Sequence, residues 1–151
     1  MKIEGIDHVA IVVKDMDKTV QFLSKLFELE FEETPFGNEI GLRICTDRPG
    51  GQIELLSVAD PVKAAKCPPI VREVVELALK GWEGIYMIFF RVKDMGEAVA
   101  DAERKGVRIA HSIEGKQEVW SFIHHFKEAT LNDEDMPIKH ITLVSYPEGK
   151  K

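Results

Sequence analysis

From Ile6 to Val13 the chain is almost continuously apolar and rich in β-branched residues. That is the pattern of a strand buried on both faces. Asp15 or Asp17 then caps a helix running to about Phe27, with Val20, Leu23 and Phe27 on one face. Phe31 to Thr34 reads as a short strand stopped by Pro35. Glu39 to Thr46 reads as a third strand, ended by the turn Asp47-Arg48-Pro49-Gly50-Gly51, and Gln52 to Val58 as a fourth. Residues 1–60 thus predict a βαβββ module. Residues 61–83 form a connector whose prolines break it early and whose apolar positions Ile70, Val74, Leu77 and Ala78 have helical spacing.

The order then repeats over residues 84–151. Ile85 to Val92 is a strand, and Asp94 opens a helix with Glu97 three positions on. Met95, Ala98, Val99 and Ala102 form the apolar face of that helix, and Gly106 closes it. Val107 to Ile113, Val119 to Phe126 and Ile138 to Tyr146 read as strands, and the acidic segment Lys127 to Pro137 as a loop. The two halves share a signature: HVAIVVKDM at His8–Met16 and MIFFRVKDM at Met87–Met95. The prediction is a single 151-residue domain of the α+β class, made of tandem βαβββ modules. Their eight strands would form an open, barrel-like sheet around a site.

Charge narrows the partners. Twenty basic against 26 acidic residues give a net charge of −6. Nucleic-acid binding is dominated by phosphate contacts, so an acidic chain without a basic run is a poor candidate for it. A small-molecule substrate, even an anionic one, needs only a local basic patch. No apolar run approaches the ~20 residues of a membrane span, and MKIEGIDHV is not a signal peptide. The expectation is a cytoplasmic protein without a membrane partner. Cys45 and Cys67 have neither metal-site nor disulfide-framework spacing and read as reduced structural thiols.

Period two along each strand sorts the polar groups. His8 shares a face with Ala10 and Val12, and Glu54 with Gln52 and Leu56. Met87 shares a face with Phe89 and Arg91, and Thr142 with His140 and Val144. An imidazole or carboxylate on a buried strand must be paired, hydrogen-bonded or bound to a metal. The plain alternative is a hydrogen-bonded core histidine beside a half-exposed glutamate. His124 and His125, adjacent on one strand, point to opposite faces. No nucleophile elbow, phosphate loop or dinucleotide fingerprint is present.

The repeated plan, with GIDHVAIVVKDM, IELLSV and EGIYMIFFRVKDM, resembles the vicinal oxygen chelate superfamily. Glyoxalase I, methylmalonyl-CoA epimerase, extradiol dioxygenases and bleomycin-resistance proteins belong to it. NEIGLRI and IVREVVELALKGWEGIYMIFF bring the chain nearest to the epimerase subgroup. The resemblance implies a divalent metal (Zn, Co, Ni, Mn or Fe) on four ligands, one from each of the first, fourth, fifth and eighth strands. His8 and Glu54 match the first two. Met87 and Thr142 stand at the other two, and neither suits a hard divalent ion. Either His140 replaces the lost carboxylate from one pleat away, or the metal is held weakly and completed by substrate, or it is gone.

The same resemblance implies proton abstraction next to a carbonyl, with Glu39 as the general base. It also implies a homodimer, and the strand faces sorted above predict a pocket lined by Gln52, Met87, Phe89, Arg91 and Thr142. A glyoxalase-like lyase needs the same enediolate stabilisation. A metal-free relative would bind a ligand without turning it over.

Overall fold

The computed structural model describes residues 1–48, 50–67, 69–115 and 125–149. The first module comprises β1 (Ile3–Val12), α1 (Met16–Phe27), β2 (Glu30–Glu33), α2 (Pro35–Glu39), β3 (Leu42–Arg48) and β4 (Ile53–Val58). The connector contains α3 (Pro61–Ala64) and α4 (Pro69–Leu79). The second module comprises β5 (Gly84–Val92), α5 (Met95–Arg104), β6 (Ile109–Gly115), β7 (Phe126–Leu131) and β8 (Ile141–Ser145), with a 3₁₀ turn over Asp133–Asp135.

The strands form one mixed sheet in the order β2-β3-β4-β1-β5-β8-β7-β6. β2 and β6 are its edges, so the sheet is open. Each module repeats one pairing scheme. β1 runs parallel to β4 and β5 parallel to β8, while β2-β3-β4 and β6-β7-β8 are antiparallel. This is the tandem βαβββ fold expected from the repeat.

By contacts the chain divides into two compact units, residues 9–86, and residues 1–8 with 87–151. In the unit of residues 9–86, Val13, Met16, Cys45 and Leu55 form a core, with Val20 and Leu23 of α1 packed on it. Asp15 caps α1 by accepting the Lys18 N–H at 2.9 Å. Cys45 and Cys67 are free and buried, and burial pushes the Cys45 thiol up to about 11. In the other unit Val92, Ala98, Ala102, Leu131 and Leu143 form the core. Asp94 caps α5 through the Glu97 N–H at 2.8 Å. Gly106 follows α5 at φ 84°, a conformation that favours glycine. Among the described residues no helix is long and apolar enough to cross a membrane.

Several local expectations are corrected. β1 is not buried on both faces: Ile6 is 62% exposed, while Asp7 and His8 are buried. Phe27 is exposed rather than packed with Val20 and Leu23. Glu39 is not in a strand. Thr34 caps a helical turn by accepting the Phe36 N–H at 3.4 Å, Pro35 supplies its first residue, and Glu39 ends it, exposed. Gln52 precedes β4; it is exposed, and its N–H donates to Asp47 Oδ1 at 2.6 Å within the turn. Phe126–Leu131 is a strand where a loop was expected. The expected strand over Val119–Phe126, and His124 with it, lies outside the described residues except at His125 and Phe126.

Asp101 and Asp135 are among the carboxylates that make stability fall in acid. The Lys105 hydrogen bond, and then the N-terminal amine, lower Asp101 to about 2, against an ordinary 3.8. Arg108 lowers Asp135 by side-chain and backbone hydrogen bonds. Both folded values lie below the unfolded ones. The stabilisation is therefore complete above the ordinary carboxylate pKa and is lost as pH falls through the folded value. Asp101→Asn is expected to flatten the decline in stability between about pH 4 and about pH 2, measured by urea unfolding at stepped pH. An unchanged slope would contradict this.

Candidate active site around His8

Strand β1 presents two polar residues in succession, Asp7 and His8, only 2% and 9% exposed. His8 Nδ1 lies 2.8 Å from Asp7 Oδ1. The imidazole stacks on the Phe89 ring of β5, with centroids 3.8 Å apart and planes 18° from parallel. Among the described residues Nε2 has no hydrogen-bond partner. A buried ring nitrogen left open points to a ligand, because burying it unpaired costs free energy.

Arg91 and Tyr146 both donate to Asp7. Arg91 of β5 donates Nε–H at 2.7 Å, and Arg91 Nη2 lies 2.6 Å away, both on Oδ2. The Tyr146 hydroxyl donates to Oδ1 at 2.8 Å. Arg91 also lies over the Tyr146 ring, 5.7 Å from its centroid. Burial, and then the charge of Asp7, raise the Tyr146 pKa well above the ordinary tyrosine value. Tyr146 is therefore a neutral donor.

Met87 and Thr142 occupy each other. The Thr142 hydroxyl donates to Met87 Sδ at 2.9 Å. Thr142 is 1% exposed, and its oxygen lies 3.0 Å from the Thr130 hydroxyl. Either hydroxyl can be the donor in that pair. A hydroxyl committed to a thioether is not arranged to hold a hard divalent ion.

His140 does not follow the period-two expectation, because it precedes β8. Its φ is 60°. Its N–H donates to Asp133 Oδ1 at 2.8 Å, and its Nδ1 lies 3.2 Å from Asp133 Oδ2. Asp133 and His140 belong to a candidate metal-binding group. The described residues thus offer an open His8 Nε2 and a carboxylate–imidazole pair, but no ligand from Met87 or Thr142. The Asp133–His140 pair suits a weakly held divalent ion rather than a closed four-ligand centre.

Glu54 lies in β4, half-buried, opposite Ala10 of β1 and Thr46 of β3. Glu39, Gln52 and Glu54 belong to the unit of residues 9–86, while His8, Met87, Phe89, Arg91, His140 and Thr142 belong to the other. Of the expected residues, the contacts gather His8 with Phe89, and Met87 with Thr142. Arg91 joins His8 through Asp7. Asp7, Tyr146 and Thr130 were not singled out in the sequence, and Asp133 reads there as part of a solvated acidic loop. Asp7 carried the same signal as His8, an ionisable group in an apolar strand.

Residues 5–135 match the model of the Glyoxalase/Bleomycin resistance protein/Dioxygenase superfamily, and the chain belongs to that family. Within it the chain stands close to methylmalonyl-CoA epimerase. A glutamate-to-glutamine variant of the Streptomyces coelicolor epimerase, solved in complex with 2-nitronate-propionyl-CoA, is 25% identical. It has a TM-score of 0.69, with 95% of this chain and 98% of that one covered. A methylmalonyl-CoA epimerase in complex with methylmalonyl-CoA and NH4+ is 23% identical (TM-score 0.72, 99% of both chains). The Mycobacterium tuberculosis epimerase is 18% identical (TM-score 0.68, 95% of this chain and 88% of that one). No curated protein matches the sequence.

Proposed function

We propose that this chain is an epimerase-type isomerase that moves a proton on the carbon next to the carbonyl of a small CoA thioester. The observation that carries the reading is the likeness to methylmalonyl-CoA epimerase over almost the whole chain, at 25% identity to one solved form. The supporting chemistry is the buried His8 with an open Nε2.

In the proposed reaction the C–H bond next to the carbonyl breaks, its proton passes to a carboxylate, and the electron pair moves onto the carbonyl oxygen. A proton from water then adds to the opposite face and inverts the centre, and the carboxylate gives its own proton back to water. Glu39 is the proposed base. Its exposure at the end of α2 lets it exchange its proton with water between turnovers. A divalent ion, when bound, supplies Lewis-acid stabilisation of the enolate oxygen. His8 would hold it through Nε2, with Glu54 and His140 as the further proposed ligands. Phe89 keeps the imidazole plane fixed, and Arg91, Met87, Thr142 and Gln52 are the proposed pocket residues. A glyoxalase-like lyase would use the same residues to stabilise an enediolate. We further read the protein as cytoplasmic, without a nucleic-acid partner, and as a homodimer. Exposed Phe22, Leu26 and Phe27 on α1 are apolar surface of the kind a partner covers.

The Thr142–Met87 hydrogen bond favours a second reading, a metal-free protein that binds its ligand without turnover. The double variant Met87→His with Thr142→Glu separates the two. It is expected to tighten Co2+ binding by about 10- to 100-fold, the range that loss of one outer partner costs in a metal site. It should also give a larger rise in Tm with Co2+ than the parent shows. Calorimetric titration and thermal melts read both. If Co2+ binds neither protein, the metal-free reading stands.

A further inference from the structure

The contacts around Asp7 determine more than its own stability. Its carboxylate receives the Nε and Nη2 groups of Arg91 on Oδ2. On Oδ1 it receives the Tyr146 hydroxyl and faces His8 Nδ1. A guanidinium is always charged and only donates. Paired with it, a carboxylate 2% exposed only accepts. The neutral His8 ring must then carry its proton on Nδ1, because the hydrogen bond at one ring nitrogen fixes the state of the other. The lone pair is thereby placed on Nε2, the atom left open.

Arg91 is the group that enforces this. It secures Oδ2, which commits Oδ1 to the histidine. β5 delivers both components, since Arg91 stands two residues after Phe89, whose ring lies against the same imidazole. Tyr146 seats the guanidinium on its ring while bonding the other carboxylate oxygen.

We infer that Arg91 is a positioning residue: by holding one oxygen of buried Asp7 it sets the Nδ1–H tautomer of His8 and presents the Nε2 lone pair to the site. The inference rests on the proposed reading of His8 as the site's open imidazole. The tautomer, however, is read without metal, substrate or turnover, so its failure is distinct from failure of the proposed activity.

The test uses the asymmetry of an amide. In Asp7→Asn the single oxygen must face the Arg91 donors, because the alternative sets an NH2 group against a cation. The NH2 group then faces His8 Nδ1 and forces the ring to accept there, moving its proton to Nε2. In Asp7→Asn with Arg91→Met the amide can turn, and its oxygen again takes the Nδ1 proton. Long-range proton–nitrogen correlation spectra of histidine-labelled protein report which ring nitrogen is protonated. His8→Gln assigns the signal.

The expected result is Nδ1–H in the parent, Nε2–H in Asp7→Asn, and recovery of Nδ1–H in the double variant. Co2+ affinity should fall about 10- to 100-fold in Asp7→Asn and recover in part with Arg91→Met. A parent ring protonated on Nε2 overturns the inference without recourse to any variant. So does an Asp7→Asn tautomer that is unchanged, or that is the same with and without Arg91.

Discussion

His8→Ala is expected to slow proton exchange on the CoA thioester by about 10²- to 10³-fold. Lewis-acid stabilisation of a developing enolate is worth several kcal/mol, and each 1.36 kcal/mol is tenfold in rate. In the proposed site His8 is the ligand whose Nε2 no described residue occupies, so its removal takes away most of the hold on an ion that is already weakly bound. The variant also loses the stack on Phe89, at about 0.5–1.5 kcal/mol of stability. The fold should survive that, so activity and unfolding can be measured on the same protein. A chelator should reproduce the loss in the parent and add nothing to His8→Ala. Parent activity indifferent to both would remove His8 and the ion from the reaction.

The second large effect falls on stability. Asp7→Ala is expected to cost about 3 kcal/mol, near the lower end of the range for breaking a buried ion pair. The lower end is chosen because Arg91 is 39% exposed and can turn to water. The Tyr146 hydroxyl loses this acceptor and His8 Nδ1 is left short of one in a buried place, which is the larger part of the cost. Replacing the group together should restore much of the loss. Asp7→Leu with Arg91→Met and Tyr146→Phe removes the donors along with the acceptor, and such exchanges are often neutral or stabilising. Urea unfolding with unchanged m values reads the comparison. A loss below about 1 kcal/mol in Asp7→Ala would mean that the network contributes no more than an ordinary hydrogen bond.

The repeat made the fold legible. A strand, a capped helix and three strands, stated twice, leave few ways to bury both apolar faces. The misreadings occurred where a local device overrides periodicity. Five residues from Pro35 to Glu39 are too few to show a helical period, although the Thr34-Pro35 start was there to be seen. In Phe126–Leu131 only Ala129 and Leu131 are buried, so Lys127 and Glu128 disguised a strand as part of an acidic loop. His140 was assigned a face by assuming an extended chain, and a φ of 60° removes that assumption.

The site was legible one residue at a time. His8 stood out as a polar group in an apolar run, and Met87 and Thr142 as departures from an expected ligand set. Asp7 stood beside His8 with the same credentials. Neighbours on a strand face opposite ways, and its partners Arg91 and Tyr146 lie 84 and 139 residues away. Long-range pairing of polar groups has no local signature. A buried carboxylate states only that donors must exist, not where in the chain they come from.

The most direct test of the central claim is deuterium uptake from heavy water at the carbon next to the carbonyl of the proposed CoA thioester, with and without added Co2+. Enzyme-dependent uptake together with inversion, slowed in Glu39→Gln and in His8→Ala, is the expected result. Binding of the thioester with no uptake under either condition would contradict it and leave a protein that holds its ligand without acting on it.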